Sequence, residues 1–305
     1  MTPLHQNTPL LYSQPLSDRL GRSVWLKMDA LQPTGSFKIR GIGHACQSHV
    51  QNGAKRFISS SGGNAGIAAA YAGAQLGIPV LVFVPETTTQ RALALIECHG
   101  AQTTVIGASW QEANDAAQAT LRKGDAYLHP FDDPLLWQGH ASITDEVAAS
   151  GLVPDIVVTA VGGGGLLSGL AQGMKTHGWA DSSLVAVETT GTASFAAAQT
   201  NNRPVELPAI ESIATSLGAR QICQQAFSVS TTRPIESVVV SDRDAVAGCR
   251  LLLDSHQVLV EPACGAAIAG LSRANLGDAK TILVEVCGGV TSDLEFLQQQ
   301  PGWHQ

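Results

Sequence analysis

Apolar runs of strand length recur along the chain at Val24–Met28, Arg56–Ser60, Val80–Val84, Thr103–Ile106, Asp155–Val161, Leu184–Val187, Val238–Val240 and Thr281–Val286. Between most of them lie Ala-rich stretches whose apolar residues return at helical spacing: Asn64–Leu76, Gln111–Arg122, Leu166–Met174 and Ala263–Ala274. A strand that is apolar throughout must be covered on both faces, so strands alternating with helices predict an α/β fold built on parallel sheets. Two proline-bearing connections, Leu31-Gln32-Pro33-Thr34-Gly35 and His129-Pro130-Phe131-Asp132-Asp133-Pro134, interrupt the alternation. They set off a block of about 100 residues, 34–135, from a longer block after it.

Composition narrows the class. With 305 residues, 44% of them hydrophobic and 14% charged, the chain can bury a large core. Its 18 basic and 25 acidic side chains give a net charge of −7, and no Lys/Arg run could follow a phosphate backbone, so a nucleic-acid partner is not expected. No apolar stretch approaches the roughly 18 residues of a membrane span, and no basic segment precedes an apolar one near the start. A cytoplasmic protein without a membrane partner is expected. The six cysteines (Cys46, Cys98, Cys223, Cys249, Cys264, Cys287) form no C-x-x-C pair, and the nine histidines form no H-E-x-x-H helix, which argues against a disulfide framework or a transition-metal site.

Four elements carry candidate chemistry. In Thr34-Gly35-Ser36-Phe37-Lys38-Ile39-Arg40-Gly41 a turn opens a helix, with Ser36 as candidate N-cap. Lys38 then lies in the first turn, where a cation opposes the macrodipole and gives up its proton more readily than a solvated lysine of pKa ~10.4. That suits an amine nucleophile, although a solvated surface lysine produces the same local pattern. The second element, Ser59-Ser60-Ser61-Gly62-Gly63-Asn64-Ala65-Gly66, joins a strand to a helix, so its N–H groups could converge on an anion such as a substrate carboxylate; a tight turn with Asn64 as N-cap is the alternative. The third, Val161-Gly162-Gly163-Gly164-Gly165-Leu166, gives up more backbone entropy than a turn needs and suggests close approach to a phosphate. The fourth is the strand Thr281–Val286 running into Cys287-Gly288-Gly289, at the kind of strand end where ligands of parallel sheets collect.

Glu188 follows the glycine run by about 20 residues, the place of a ribose-binding acid in dinucleotide sites. The glycine offsets fail, however: counting five from Gly162 gives Leu167, and from Gly163 gives Ser168. No glycine precedes a lysine, so there is no Walker-type loop either.

Taken together, these residues resemble the fold-type II pyridoxal-phosphate (PLP) enzymes, and within them the serine/threonine dehydratases of the mammalian-type serine dehydratase branch. The likeness runs from about Thr8 to about Asp293 and rests on motifs in one order. They are Lys27-Met28-Asp29, Leu31 to Gly41, Ser60 to Gly66, Pro130-Phe131-Asp132, Trp137-Gln138-Gly139-His140-Ala141-Ser142, Gly162 to Gly165, Val260-Glu261-Pro262-Ala263-Cys264-Gly265-Ala266-Ala267 and Val286-Cys287-Gly288-Gly289.

The resemblance implies two parallel-sheet α/β domains like those of the tryptophan synthase β chain, a small one over residues 34–135 and a large one from residues 1–33 plus 136–305. It also implies PLP as cofactor, and dehydration with deamination of L-serine to pyruvate and of L-threonine to 2-oxobutyrate. Lys38 would hold PLP as a Schiff base and act as acid and base at the substrate α-carbon, with Ser61 as second catalytic residue. Phe37 and Ala214 to Gly218 would bracket the ring and Asn64 would bind its 3′-oxygen. Gly162, Gly163, Gly164, Gly165 and Leu166 would hold the phosphate, and Cys287 would face the pyridine nitrogen. A thiol is a weak donor, so that nitrogen should stay unprotonated. Ser61, Gly62, Gly63, Asn64 and Ala65 would bind the amino acid. Some relatives hold a monovalent cation such as K+, and the matching ligands are Glu188 with carbonyls of Gly162, Thr192, Leu217 and Ala219; Thr192 stands where close relatives usually have alanine. Val290-Thr291 departs similarly from the asparagines common in relatives. A homodimer without a regulatory module is expected.

Serine racemase and other fold-type II β-eliminating or β-replacing enzymes, or a weakly active PLP-binding relative, are the alternatives. Racemases carry serine where alignment on Gly63-Asn64 puts Gly62. The missing side chain removes that second-face hydroxyl and leaves space beside the substrate, which predicts elimination without D-serine and a high KM. Against cysteine synthase, the lysine motif reads Gly-Ser-Phe-Lys-Ile-Arg-Gly and not Ser-x-Lys-Asp-Arg.

Overall fold

Each apolar run becomes a strand. A computed structural model describes residues 1–304. Among them lie ten strands: β1 (Leu10–Tyr12), β2 (Ser23–Lys27), β3 (Arg56–Ser59), β4 (Val80–Val84), β5 (Gln102–Val105), β6 (Asp125–Leu128), β7 (Ile156–Ala160), β8 (Ser183–Thr189), β9 (Ile235–Val240) and β10 (Thr281–Glu285). The helices are α1 (Gln14–Leu20), α2 (Lys38–Gln51), α3 (Asn64–Leu76), α4 (Gln90–Glu97), α5 (Trp110–Ala119), α6 (Pro134–Ala149), α7 (Gly165–Thr176), α8 (Ser194–Asn201), α9 (Gln224–Thr232), α10 (Asp242–His256), α11 (Pro262–Gly270) and α12 (Leu294–Gln298). No helix among the described residues is long and apolar enough to cross a membrane.

The chain divides into two units. One comprises Met1–Gln6 and Gln32–His140, and its four strands run parallel in the order β5-β4-β3-β6. Phe57, Ile58, Val82 and Val84 are buried, as a strand covered on both faces requires. Nine of the thirteen residues of α3 are buried too, because its alanines and glycines let α2 and the sheet approach closely.

The other unit comprises Asn7–Leu31 and the chain from Ala141 onward. Its six strands are ordered β1-β2-β10-β7-β8-β9, all parallel except β1, which runs antiparallel to β2 at the edge. Val157, Val158, Val185, Val187, Leu283 and Val284 form the middle of the core. The Lys27-Met28-Asp29 motif is structural here. The buried Lys27 amine pairs with Glu146 and donates to the Thr8 carbonyl at 2.5 Å, while the Thr8 hydroxyl donates to Asp29 at 2.7 Å. Removing one partner would strand a buried charge, at a cost of about 3–5 kcal/mol.

Candidate functional site

Lys38 is the first residue of α2, in the first helical turn as its motif predicts. Ser36 does not cap the helix. Phe37 holds the N-cap place in helical conformation without a side-chain bond, and the buried Ser36 hydroxyl has no hydrogen-bond partner. The half-buried Lys38 amine donates a 2.6 Å hydrogen bond to the Pro130 carbonyl and lies 5.1 Å from the Phe37 ring centroid. The Phe37 ring is backed by His140, with centroids 4.9 Å apart. Two glycines make this packing possible: a Cβ at Gly41 would stand 2.5 Å from the His140 ring, and one at Gly139 would stand 2.3 Å from the Arg40 carbonyl.

Histidines supply what sequence reasoning missed around the lysine. Nδ1 of His129 accepts from the N–H groups of Asp132 at 2.7 Å and Phe131 at 3.2 Å, which folds the turn that presents the Pro130 carbonyl. Burial, helped by the positive Lys38, lowers the His129 pKa to about 4, so the ring is neutral and its acceptor nitrogen is available near pH 7. His140 is also held well below its ordinary range, first by burial and then by Lys38, Arg40 and His5. In the sequence these two histidines stand only inside a proline-bearing connection, His129 to Pro134, and a motif of the family resemblance, Trp137 to Ser142, neither of which assigns them a role.

The second element leaves β3 and enters α3. Asn64 is the first helical residue, not the cap; Gly63 precedes the helix and makes no side-chain cap. Behind the turn, the Ser60 and Tyr127 hydroxyls both donate to Asn114 Oδ1, Ser60 at 3.0 Å, and their oxygens lie 3.0 Å apart. A Cβ at Gly66 would come within 1.9 Å of the Ser61 carbonyl, so the helix start lies directly against the loop. Ser61, Gly62, Gly63, Asn64 and Ala65 are thereby gathered at a helix N-terminus, whose first N–H groups lack intrahelical acceptors and suit a carboxylate. The space expected beside Gly62 is absent in the direction of its missing Cβ, where the Thr88 side chain stands.

In the other unit, Gly162 to Gly164 follow β7, and Gly165 and Leu166 open α7. Gly164 has φ +90°, and a Cβ there would lie 2.3 Å from the Ala226 Cβ. A Cβ at Gly162 would meet the Leu217 Cα and Ser216 carbonyl at 3.0 Å. Side chains are thus shut out of the turn, which leaves backbone N–H groups at a helix N-terminus. Cys287 follows β10 and is buried; a hydrogen bond with the Cys264 thiol, and then burial, push its pKa well above the ordinary range, so it is a neutral S–H. Glu188, at the end of β8, is fully buried and accepts from the N–H groups of Phe195 at 2.7 Å and Ala196 at 2.9 Å. Burial still pushes its pKa up to about 7, because only backbone N–H groups offset it.

Strand ends, glycine turns and helix N-termini of this kind define a class, and the comparisons identify it. Residues 1–288 match the family model described as pyridoxal-phosphate dependent enzyme, and the chain belongs to that family. It is 43% identical over 316 residues to the human L-serine dehydratase/L-threonine deaminase, covering 98% of this chain and 96% of the relative. A solved fungal L-serine ammonia-lyase from Rhizomucor miehei superposes with a TM-score of 0.92 at 33% identity, over 97% of this chain and 98% of the other. A maize serine racemase superposes with a TM-score of 0.88 at 22% identity, over 97% and 92%, a likeness of fold alone. Each unit by itself holds groups that fit PLP: the first an amine held at a helix start, the second a turn in which Gly162 and Gly164 have no room for a side chain and a neutral thiol after a strand end.

Proposed function

We propose that the chain eliminates the hydroxyl of L-serine as water, after which one water hydrolyses the released enamine to pyruvate and ammonia, and that it acts likewise on L-threonine to give 2-oxobutyrate and ammonia. The observation that carries this reading is the 43% identity with a human L-serine dehydratase/L-threonine deaminase along nearly the whole of both chains, supported by a lysine amine held as such chemistry needs. PLP, when bound, supplies an electron-withdrawing ring that stabilises negative charge at the α-carbon.

The protein's groups do the rest. Lys38 attaches the cofactor and moves the α-proton; the Pro130 carbonyl, 2.6 Å away, orients its nitrogen. Phe37, braced by His140, supplies an apolar wall. Gly162 to Leu166 bind phosphate through backbone N–H groups, and Asn64 binds the ring oxygen. Ser61 to Ala65 take the amino acid, its carboxylate at the N-terminus of α3, with Ser61 next to the reacting group. Cys287, a neutral thiol with its proton engaged by Cys264, gives the ring nitrogen no charged partner to keep it protonated, which favours prompt loss of the β-hydroxyl over long-lived charge at the α-carbon.

For the cation we propose K+ at Glu188 with the carbonyls of Gly162, Thr192, Leu217 and Ala219. A buried carboxylate offset only by N–H groups gains from a positive charge. For the assembly we propose a homodimer, and for the compartment the cytoplasm, as the family resemblance and the scattered cysteines imply; light scattering of the pure protein tests the first and fractionation the second. A coupled assay for pyruvate and 2-oxobutyrate, with chiral chromatography of the remaining serine, tests the reaction. Substantial D-serine would favour the racemase alternative.

A further inference from the structure

β3 and β4 are neighbouring parallel strands with Ser59 opposite Val82, so the segments leaving their carboxyl ends run side by side. The first is the loop Ser60–Gly63. The second is the turn Pro85–Thr89, closed by a 3.0 Å bond from the Thr88 N–H to the Pro85 carbonyl, with Thr89 capping α4. At Gly62 the path of a Cβ is blocked by Thr88: Oγ1 lies 2.6 Å, Cγ2 2.9 Å and Cβ 3.3 Å from the place that atom would take. At Gly63 nothing lies within 4 Å of the corresponding place. Gly62 is not among the residues with positive φ, so its backbone would admit a side chain and the obstacle is Thr88.

We propose that Thr88 is a positioning residue of the amino-acid site, sharing one side-chain volume with position 62 and so deciding which residues that position accepts. The proposal rests on the reading of Ser61 to Ala65 as the substrate loop. Threonine is β-branched and stiff about χ1, so its two branches form a fixed buttress behind the loop. A serine at position 62 would need Thr88 to turn away or the loop to move toward the substrate. A shift of ~1 Å there is enough to cost ~10²-fold in rate.

The test is a double-mutant cycle on the PLP-loaded enzyme. Wild type, Gly62→Ser, Thr88→Ala and the double variant are compared for KM and kcat with L-serine and for D-serine by chiral chromatography. Circular dichroism and cofactor absorbance report folding and loading. We expect Gly62→Ser alone to lose ~10²-fold in kcat/KM and the double variant to recover about tenfold of it, a coupling within the range for contacting residues. D-serine should appear in the double variant well above its level in Gly62→Ser. Thr88→Ala alone should raise KM more than it lowers kcat, and Thr88→Val, which keeps both branches, should leave KM near wild type. Equal effects of Gly62→Ser in the two backgrounds, or an unchanged KM in Thr88→Ala, would overturn the proposal. If Gly62→Ser does not fold, the KM contrast between Thr88→Ala and Thr88→Val still decides it. A wrong loop assignment shows separately: Ser61→Ala and Asn64→Ala would then leave KM unchanged, and the proposal falls with it.

Discussion

The Lys38 amine donates to the Pro130 carbonyl at 2.6 Å, so the first residue of α2 is tied to the turn between β6 and α6. If that amine is the one that carries the cofactor, Lys38→Ala should lose both the visible absorbance of bound PLP and its fixation by borohydride. Activity should fall by at least ~10²–10⁴-fold, the usual contribution of a positioned acid/base. Borohydride fixation that survives in Lys38→Ala would move the role to another lysine, such as Lys27 or Lys55.

His129 makes that turn sensitive to acid. Its pKa in the folded protein is about 4 against an ordinary 6.5. Between these values the unfolded chain binds more protons, so stability is lost as pH falls from about 6.5 to about 4, by up to about 3 kcal/mol from this group. His129→Leu should flatten that limb of a melting-temperature profile. At pH 7 the variant should also be less stable by about 1–3 kcal/mol, for the acceptor lost to two N–H groups.

Glu188 has the opposite sign. Its folded pKa is raised from 4.5 to about 7, so the folded state binds more protons in that window and stability declines as pH rises through it. A cation bound there would remove the decline. At pH 8, KCl should raise the melting temperature over choline chloride by roughly 2–4 °C per kcal/mol of binding, and the difference should shrink at pH 5. Glu188→Gln should show no difference at either pH.

Gly164 gives a clean test of the phosphate turn. Gly164→Ala meets both a left-handed backbone at φ +90° and the Ala226 Cβ at 2.3 Å. Gly178→Ala meets only the backbone, at φ +69°, with nothing within 4 Å. Each should destabilise the chain by about 1–2 kcal/mol from the backbone alone. Gly164→Ala should in addition weaken PLP binding about tenfold or more, as read by fluorescence titration.

How far the sequence foretold this follows from what each feature depends on. Strands such as Val80–Val84 and helices such as Asn64–Leu76 are written in local apolar spacing, and their bounds are reproduced. β1 and β6 were missed because Leu10–Tyr12 is short and largely exposed, and Asp125–Leu128 has only Ala126 and Leu128 buried. Ser36 looked like a cap by residue type, but Phe37 is already helical, and capping depends on that one backbone angle. The glycine turns were legible as turns. Which neighbour each glycine makes room for was not, since Thr88 meets Gly62, and His140 meets Gly41, only through the packing of segments distant in sequence.

The strand order of the larger sheet has a consequence for biosynthesis. β10 lies between β2 and β7, with Thr281 opposite Ser23 and Ile282 opposite Ile156. While the ribosome is still making the segments between, β2 has its inner edge unpaired, with Val24 and Leu26 waiting for a partner that emerges late. The stretch from Gln32 to His140 has all four strands of its own sheet by then and can form its contacts first. A nascent chain stalled before Thr281 should therefore hold an exposed, apolar strand edge, the kind of surface on which chaperones act and aggregation starts.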